Sequence, residues 1–220
     1  MTRFTESSPR PSKIVCVGRN YADHAKELGN AVPTTSEPPI LFIKPPSSLI
    51  GLSEGIAWKD GLGECHFECE LSIQIGHTLK DADEEQARAA ISGVTLGLDL
   101  TLRNLQSSLK DKGLPWERSK AFDGSCVLGD WLAPEAITDY KDARYTFSVD
   151  GVTKQVGETA NMIFDVVGLI AHISHTFTLE KGDVVMTGTP AGVAALKSGE
   201  QLVMTLETVL GDVSWQTFVR

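Results

Sequence analysis

Cys65-His66-Phe67-Glu68-Cys69-Glu70-Leu71-Ser72-Ile73-Gln74-Ile75 alternates without a break: odd-numbered residues are apolar and even-numbered ones polar. A period of two over this length specifies a half-buried β-strand whose apolar face packs the core. The polar face carries Glu68 and Glu70 side by side, with Cα atoms roughly 6–7 Å apart. Two carboxylates so placed repel each other unless water screens them or a cation lies between them. A solvated strand face also tolerates such a pair, so the reading turns on a third carboxylate. Gly93-Val94-Thr95-Leu96-Gly97-Leu98-Asp99-Leu100-Thr101-Leu102 reads as a buried apolar strand interrupted by Asp99. A buried carboxylate needs a hydrogen-bond shell, an ion pair or a metal. Glu68, Glu70 and Asp99 together form an all-oxygen set suited to Mg²⁺ or Mn²⁺ rather than Zn²⁺.

The remaining composition is that of an ordinary globular chain: 220 residues, 41% hydrophobic and 22% charged. Twenty basic against twenty-nine acidic side chains give a net charge of −9, and the pI is near 5.0. That balance argues against nucleic-acid or anionic-membrane partners. An anionic substrate would therefore need a pocket made locally positive by a metal, Lys or Arg. Cys16, Cys65, Cys69 and Cys126 show no metal-binding spacing. Cys65 and Cys69 lie roughly 13 Å apart on one strand face, beyond disulfide reach. All four are expected to be reduced and mostly buried. The first residues lack an apolar signal region and no run spans a membrane, so a cytoplasmic protein is expected.

Residues 1–12 read as a flexible tail and 13–220 as a single domain. Strands are expected at 13–17, 40–43, 183–186 and 201–206, and a hairpin at 145–156 turns on Asp150-Gly151. Helices are expected at 21–28, 84–92, 101–112 and, longest, 161–175. The proline-rich segment Val32 to Pro39 resists regular structure and makes about 20–39 a candidate lid. Short strands mixed with irregularly spaced helices indicate α+β.

Two further patterns carry chemistry. His24 and Glu27 sit at i and i+3 on one helix, within side-chain contact. A carboxylate beside an imidazole orients it and stabilises its protonated form, which makes a general-base unit, although exposed helices carry incidental His–Glu pairs too. Thr187-Gly188-Thr189-Pro190-Ala191-Gly192-Val193 is a Gly-rich turn that can present N–H groups to an anion. It lacks the Gly-Lys-Ser/Thr of a nucleotide loop.

The motifs Gly18-x-Asn20-Tyr21-x-x-His24-x-x-Glu27, Phe42-x-Lys44-Pro45, His66-x-Glu68-x-Glu70-Leu71, Asp99-x-Thr101-x-Arg103-x-x-Gln106, Lys120-x-Phe122-Asp123 and Thr187-Gly188-Thr189-Pro190-x-Gly192 occur in this order. In them the chain resembles the fumarylacetoacetate hydrolase (FAH) family, in its short acylpyruvase branch. The resemblance implies the FAH fold, a β-rich roll of mixed sheets with a few flanking helices, and a homodimer. It implies Mg²⁺ or Mn²⁺ held by Glu68, Glu70 and Asp99, with His66 beside the ligands rather than on the metal. His24, Glu27 and Lys120 become the catalytic set. Arg103, Gln106, Thr189, Lys44 and Arg19 become substrate contacts. The implied substrate is a 2-oxo acid, and the expected reaction is hydrolysis of an acylpyruvate C–C bond through a metal-stabilised enolate. The alternatives are oxaloacetate tautomerisation or decarboxylation, and isomerisation or decarboxylation of 2-hydroxyhepta-2,4-diene-1,7-dioate. A non-catalytic metal-binding module is the rival of a different class; it leaves the dyad and Lys120 without a role.

Overall fold

In a computed structural model that describes residues 10–59 and 61–220, the alternating stretch forms two strands, not one. In chain order the first elements are β1 (Ile14–Gly18), α1 (Ala22–Glu27), β2 (Ile40–Lys44), β3 (Leu49–Gly51), β4 (Cys65–Phe67) and β5 (Cys69–Ile75). They are followed by α2 (Glu84–Ala89), β6 (Ile91–Asp99), β7 (Thr101–Leu102), α3 (Arg103–Asp111) and β8 (Cys126–Leu128). The last third adds β9 (Arg144–Val149), β10 (Val152–Glu158), α4 (Val166–Thr176), β11 (Val184–Met186), β12 (Ala194–Ala195), β13 (Gln201–Leu206) and β14 (Val213–Phe218).

The strands form a seven-stranded sheet in the order β2-β1-β11-β5-β6-β8-β3, a four-stranded sheet β10-β9-β13-β14 and a three-stranded sheet β12-β4-β7. The pairs β1–β11 and β3–β8 are parallel, and the other strand pairs are antiparallel. This is the expected α+β architecture of mixed sheets, with four short α-helices among the described residues. β5 pairs with β6, Cys69 facing Leu98. Both chains then turn a corner into the small sheet, where Cys65 faces Leu102. Glu68 and Leu100 sit at that corner, and Asp99 N–H donates to the Glu68 carbonyl across it at 2.8 Å.

The core lies on both faces of the large sheet. Cys69, Leu71, Ile73 and Ile75 join one apolar cluster. Cys16, Cys126 and Met186 belong to a second cluster. The strand read as half-buried is thus covered on both sides: Glu68 is 5% exposed, Glu70 1% and Ser72 0%. Alternation correctly identified the strand but did not predict that its polar face would be enclosed.

Most helix expectations hold with shifted ends. The 101–112 helix begins at Arg103, because Thr101 and Leu102 are held as β7 against β4. The 161–175 helix begins at Val166, where the Asp165 side chain caps it by accepting from Val167 N and Gly168 N. The hairpin turn is as read, with Asp150 and Gly151 at φ 49° and 76°. Of the expected tail, residues 1–9 lie outside the described residues. Pro11 is buried and Ser12 N–H donates to Asp183 Oδ1 at 2.7 Å. All four cysteines are free and buried, as expected. Among the described residues no helix is long and apolar enough to cross a membrane.

Candidate active site

The corner between the two sheets brings the three carboxylates together. Oxygens of Glu68, Glu70 and Asp99 lie within 4.8 Å of one another, and all three residues are buried. Glu70 reaches the site from β5 and Glu68 from the corner just before it. Asp99 arrives from the end of β6, which is antiparallel to it. Gly188 N–H donates to Glu70 Oε2 at 2.7 Å. Gly188 has φ 97°, and a Cβ there would press on Asn20. Only glycine brings the amide to the carboxylate in that conformation.

The electrostatics distinguish the carboxylates. Burial pushes Glu70 well above the usual carboxylate range, and the neighbouring Asp99 and Glu68 push it further. Burial would raise Glu68 too, but the Lys120 ammonium and Arg103 guanidinium outweigh it and hold that carboxyl low. Lys120 Nζ lies 2.7 Å from Glu68 and 2.6 Å from Asp99. Burial opposes its charge, yet the two carboxylates outweigh burial and keep it an ammonium. A buried all-carboxylate cluster whose members repel one another has the hard-donor chemistry that Mg²⁺ or Mn²⁺ requires.

Above the triad opens a cavity of about 300 Å³. Glu68 and Glu70 line it together with His24 of α1, Arg103 and Gln106 of α3, and Thr189. Arg103 donates to Glu68 Oε1 at 2.5 Å and to Gln106 Oε1 at 2.9 Å. Arg19, a non-glycine residue at φ 60°, lines the cavity and donates to Asn30 Oδ1 at 2.8 Å. The cations Arg19, Arg103 and Lys120 make this pocket locally positive within an acidic chain, as an anionic ligand demands.

His24 is 5% exposed. Burial lowers its pKa, and Arg103 and Lys120 add to the effect against the opposing pull of Glu68 and Glu27. The imidazole is therefore neutral at pH 7. Its Nδ1 lies 3.6 Å from Glu27 Oε2, too long for a hydrogen bond. Glu27 instead accepts from Gly192 N–H at 3.0 and 3.2 Å, fastening α1 to the Gly-rich turn. Gly192 has φ 102°, and a Cβ there would run into the Lys154 carbonyl.

One expected contact is placed differently. Lys44, read as a substrate contact, is 0% exposed beneath the site. Its Nζ lies 2.8 Å from Asp99 Oδ1 and donates to the Lys120 carbonyl and to Ser125 O and Oγ. It holds Asp99 and the Lys120 backbone from below. His66 has Nε2 3.4 Å from Glu64 Oε2.

Gln155 was invisible in the sequence. It is 1% exposed, accepts from Cys69 N–H at 2.9 Å, and donates to Thr189 Oγ1 and Pro190 O at 2.8 Å each. Polarity along β10 reads the other way, yet Val156 is 59% exposed. A bulge between Thr153 and Gln155 re-aims the strand. Asn20, part of a quoted motif without an assigned role, donates to Phe164 O at 2.9 Å and Thr187 O at 2.8 Å and accepts from Phe164 N. It ties the entry of α1 to two distant loops.

Comparison with known proteins supplies the context. The family model "Fumarylacetoacetate (FAA) hydrolase C-terminal" matches residues 13–215. The chain is 49% identical over 197 residues to an oxaloacetate tautomerase of Escherichia coli K12, covering 89% of each protein. It is 41% identical over 221 residues to a mitochondrial oxaloacetate decarboxylase of Dictyostelium discoideum, covering 100% of this chain and 99% of the relative. Among solved structures it is similar to a fumarylpyruvate hydrolase from Pseudomonas aeruginosa in complex with Mn²⁺ and pyruvate. That match has a TM-score of 0.84 and 34% identity over 94% of this chain and 90% of the other.

Proposed function

The chain belongs to the fumarylacetoacetate hydrolase family, and on that premise we propose that it interconverts the enol and keto forms of oxaloacetate, with Mg²⁺ or Mn²⁺ at Glu68, Glu70 and Asp99. The observation that carries this reading is the state of His24: buried, neutral, facing the cavity and not hydrogen-bonded to Glu27. A lone neutral imidazole suits a proton transfer at carbon, whereas a water-activating dyad needs Glu27 on Nδ1. The tautomerase name of the Escherichia coli relative supports the same choice. The expectation that acylpyruvate hydrolysis comes first is revised accordingly.

The bound cation would polarise the carboxylate and 2-oxygen of the oxo acid as a Lewis acid. His24 moves the proton at C3. Going from enol to keto, neutral His24 takes up the 2-hydroxyl proton and, as imidazolium, delivers it to C3, which returns the imidazole to its neutral state. Negative charge gathering on the 2-oxygen in between is met by Lys120 and Arg103, already aimed at the site by Glu68. Thr189, held by Gln155, and Gln106 orient the substrate oxygens. Hydrolysis of an acylpyruvate is the second reading, favoured by the pyruvate-bound hydrolase neighbour. It requires Glu27 to leave Gly192 and join His24.

The test follows the decay of enol-oxaloacetate by its ultraviolet absorbance in the presence of Mg²⁺, with EDTA as control, beside pyruvate release from acetylpyruvate. Catalysed decay that EDTA abolishes is expected. Decay no faster than in buffer, together with rapid acetylpyruvate cleavage, overturns the tautomerase reading in favour of the hydrolase.

A further inference from the structure

Helix α3 presents Arg103, Gln106 and Lys110 at i, i+3 and i+7, one stripe of a helix, and all three line the cavity. The first two are tied to each other and to Glu68. Lys110 stands one helical turn beyond Gln106, about 6 Å further from the triad along the axis. We propose that Lys110 is a specificity-determining residue whose ammonium binds the distal carboxylate of a four-carbon 2-oxo diacid. The subsite rests on the oxo-acid reading of the pocket and extends it from the reacting head to the tail of the substrate.

The surroundings of the ammonium point to an anion. Lys110 Nζ lies 5.3 Å from the centroid of the Trp116 ring, a cation–π distance. Trp116 is itself set edge-on against Phe42, centroids 5.1 Å apart at 65°. Both rings line the cavity, so Lys110, exposed on its helix, has its tip held at the cavity rim. Among the described residues no hydrogen bond or ion pair involves Nζ. What surrounds it is like charge: partial burial lowers its pKa, and Arg19, Lys120 and Arg103 lower it further, against a weaker opposing pull from Glu68. An ammonium at the mouth of a site, crowded by cations and lacking a carboxylate of its own, is stabilised by an anionic ligand. The two carboxylates of oxaloacetate are separated by two carbons, a span shorter than one helical turn. With the oxo-acid head on the triad, the flexible four-carbon stem of Lys110 supplies the rest of the reach to the tail. An acylpyruvate with a neutral alkyl tail offers that lysine nothing, so the residue separates diacids from neutral-tailed substrates.

The test is equilibrium binding to the full-length, Mg²⁺-loaded protein by titration calorimetry. One probe is 3,3-difluoro-oxaloacetate, which keeps both carboxylates and cannot enolise. The other is pyruvate, which keeps only the oxo-acid head. Wild type should bind the diacid more tightly than pyruvate. Lys110→Met should weaken the diacid about 10- to 100-fold, the worth of a charge-assisted contact, and leave pyruvate within about twofold, which also reports an intact fold. Lys110→Arg should restore most of the diacid affinity. Equal losses for both probes, or no loss for the diacid, overturn the subsite. Oxaloacetate turnover measured alongside separates the two readings. The binding pattern without turnover retains the subsite and removes the tautomerase, and turnover without the pattern does the reverse.

Discussion

His24 can act as a base only while it is neutral, and its surroundings set that condition. Burial is the largest influence, and Arg103 and Lys120 act in the same direction. A His whose folded pKa lies below the ordinary imidazole value of about 6.5 stays neutral through the physiological range. It takes up a proton only as the pH falls further. The acid limb of kcat should therefore have its midpoint below pH 6.5, and a bound cation shifts it the same way. His24→Ala should lower kcat by about 10²–10⁴, the usual worth of a positioned general base, while the rise in Tm on adding Mg²⁺ stays intact. A variant with near-normal turnover would leave the metal site and Lys120 as the whole catalyst.

At the scale of elements the site is assembled from strand ends and loops that approach from separate sheets. β10 contributes through its bulge: Gln155 satisfies Cys69 N–H, Thr189 Oγ1 and Pro190 O at once. Gln155→Leu strands those buried groups and should destabilise the fold by about 1–3 kcal/mol, read as a lower urea midpoint. It should also raise KM, since Thr189 loses its orientation. Helix α1, part of the segment we propose as a lid, is fastened by Glu27 to Gly192 and by Asn20 to Thr187 and Phe164. Glu27→Ala removes the first tie alone. Faster amide exchange at Gly192 and 22–28, with the β5–β6 amides unchanged, is the expected outcome. Unaltered protection would mean that Asn20 is sufficient to hold the helix down.

Across the whole molecule the site is a local exception to a chain of net charge −9. Glu70 in its charged form opposes folding until a cation joins it. Glu70 shows the sign: its folded pKa is raised, so the metal-free protein loses this group's contribution as pH rises from the usual carboxylate range through the raised value. A divalent ion that binds only the native state reverses the loss, by about 2.7 kcal/mol at a concentration 100 times its Kd. Binding requires the deprotonated carboxylate. The Mg²⁺-induced rise in Tm should therefore be larger at pH 8 than at pH 5.5. Glu70→Gln should raise the Tm of the metal-free protein at pH 8 and abolish the response to Mg²⁺. A response that survives the substitution would place the cation elsewhere.

The amino-acid order alone determined what depends on near neighbours. Period-two alternation specified strand structure around Glu68–Glu70, and an apolar run specified the strand that ends at Asp99. The Asp150-Gly151 pair specified its hairpin, and paired glutamates on a strand with an aspartate in apolar company pointed to a cluster that could hold a hard cation, because backbone pleat and residue polarity act over a few positions. Tertiary structure decided what depends on partners far along the chain. The corner at Glu68 exists because Cys65–Phe67 pairs with β7 and β12 while Cys69–Ile75 pairs with β6 and β11. Lys44 lies under Asp99 and not in the cavity because carbonyls 56 to 81 residues away cage its ammonium. Gln155 reaches Cys69, 86 residues distant, only because a bulge turns its strand against the polarity pattern. A side chain's polarity states what it needs; which distant group meets that need is settled only when the sheets pack.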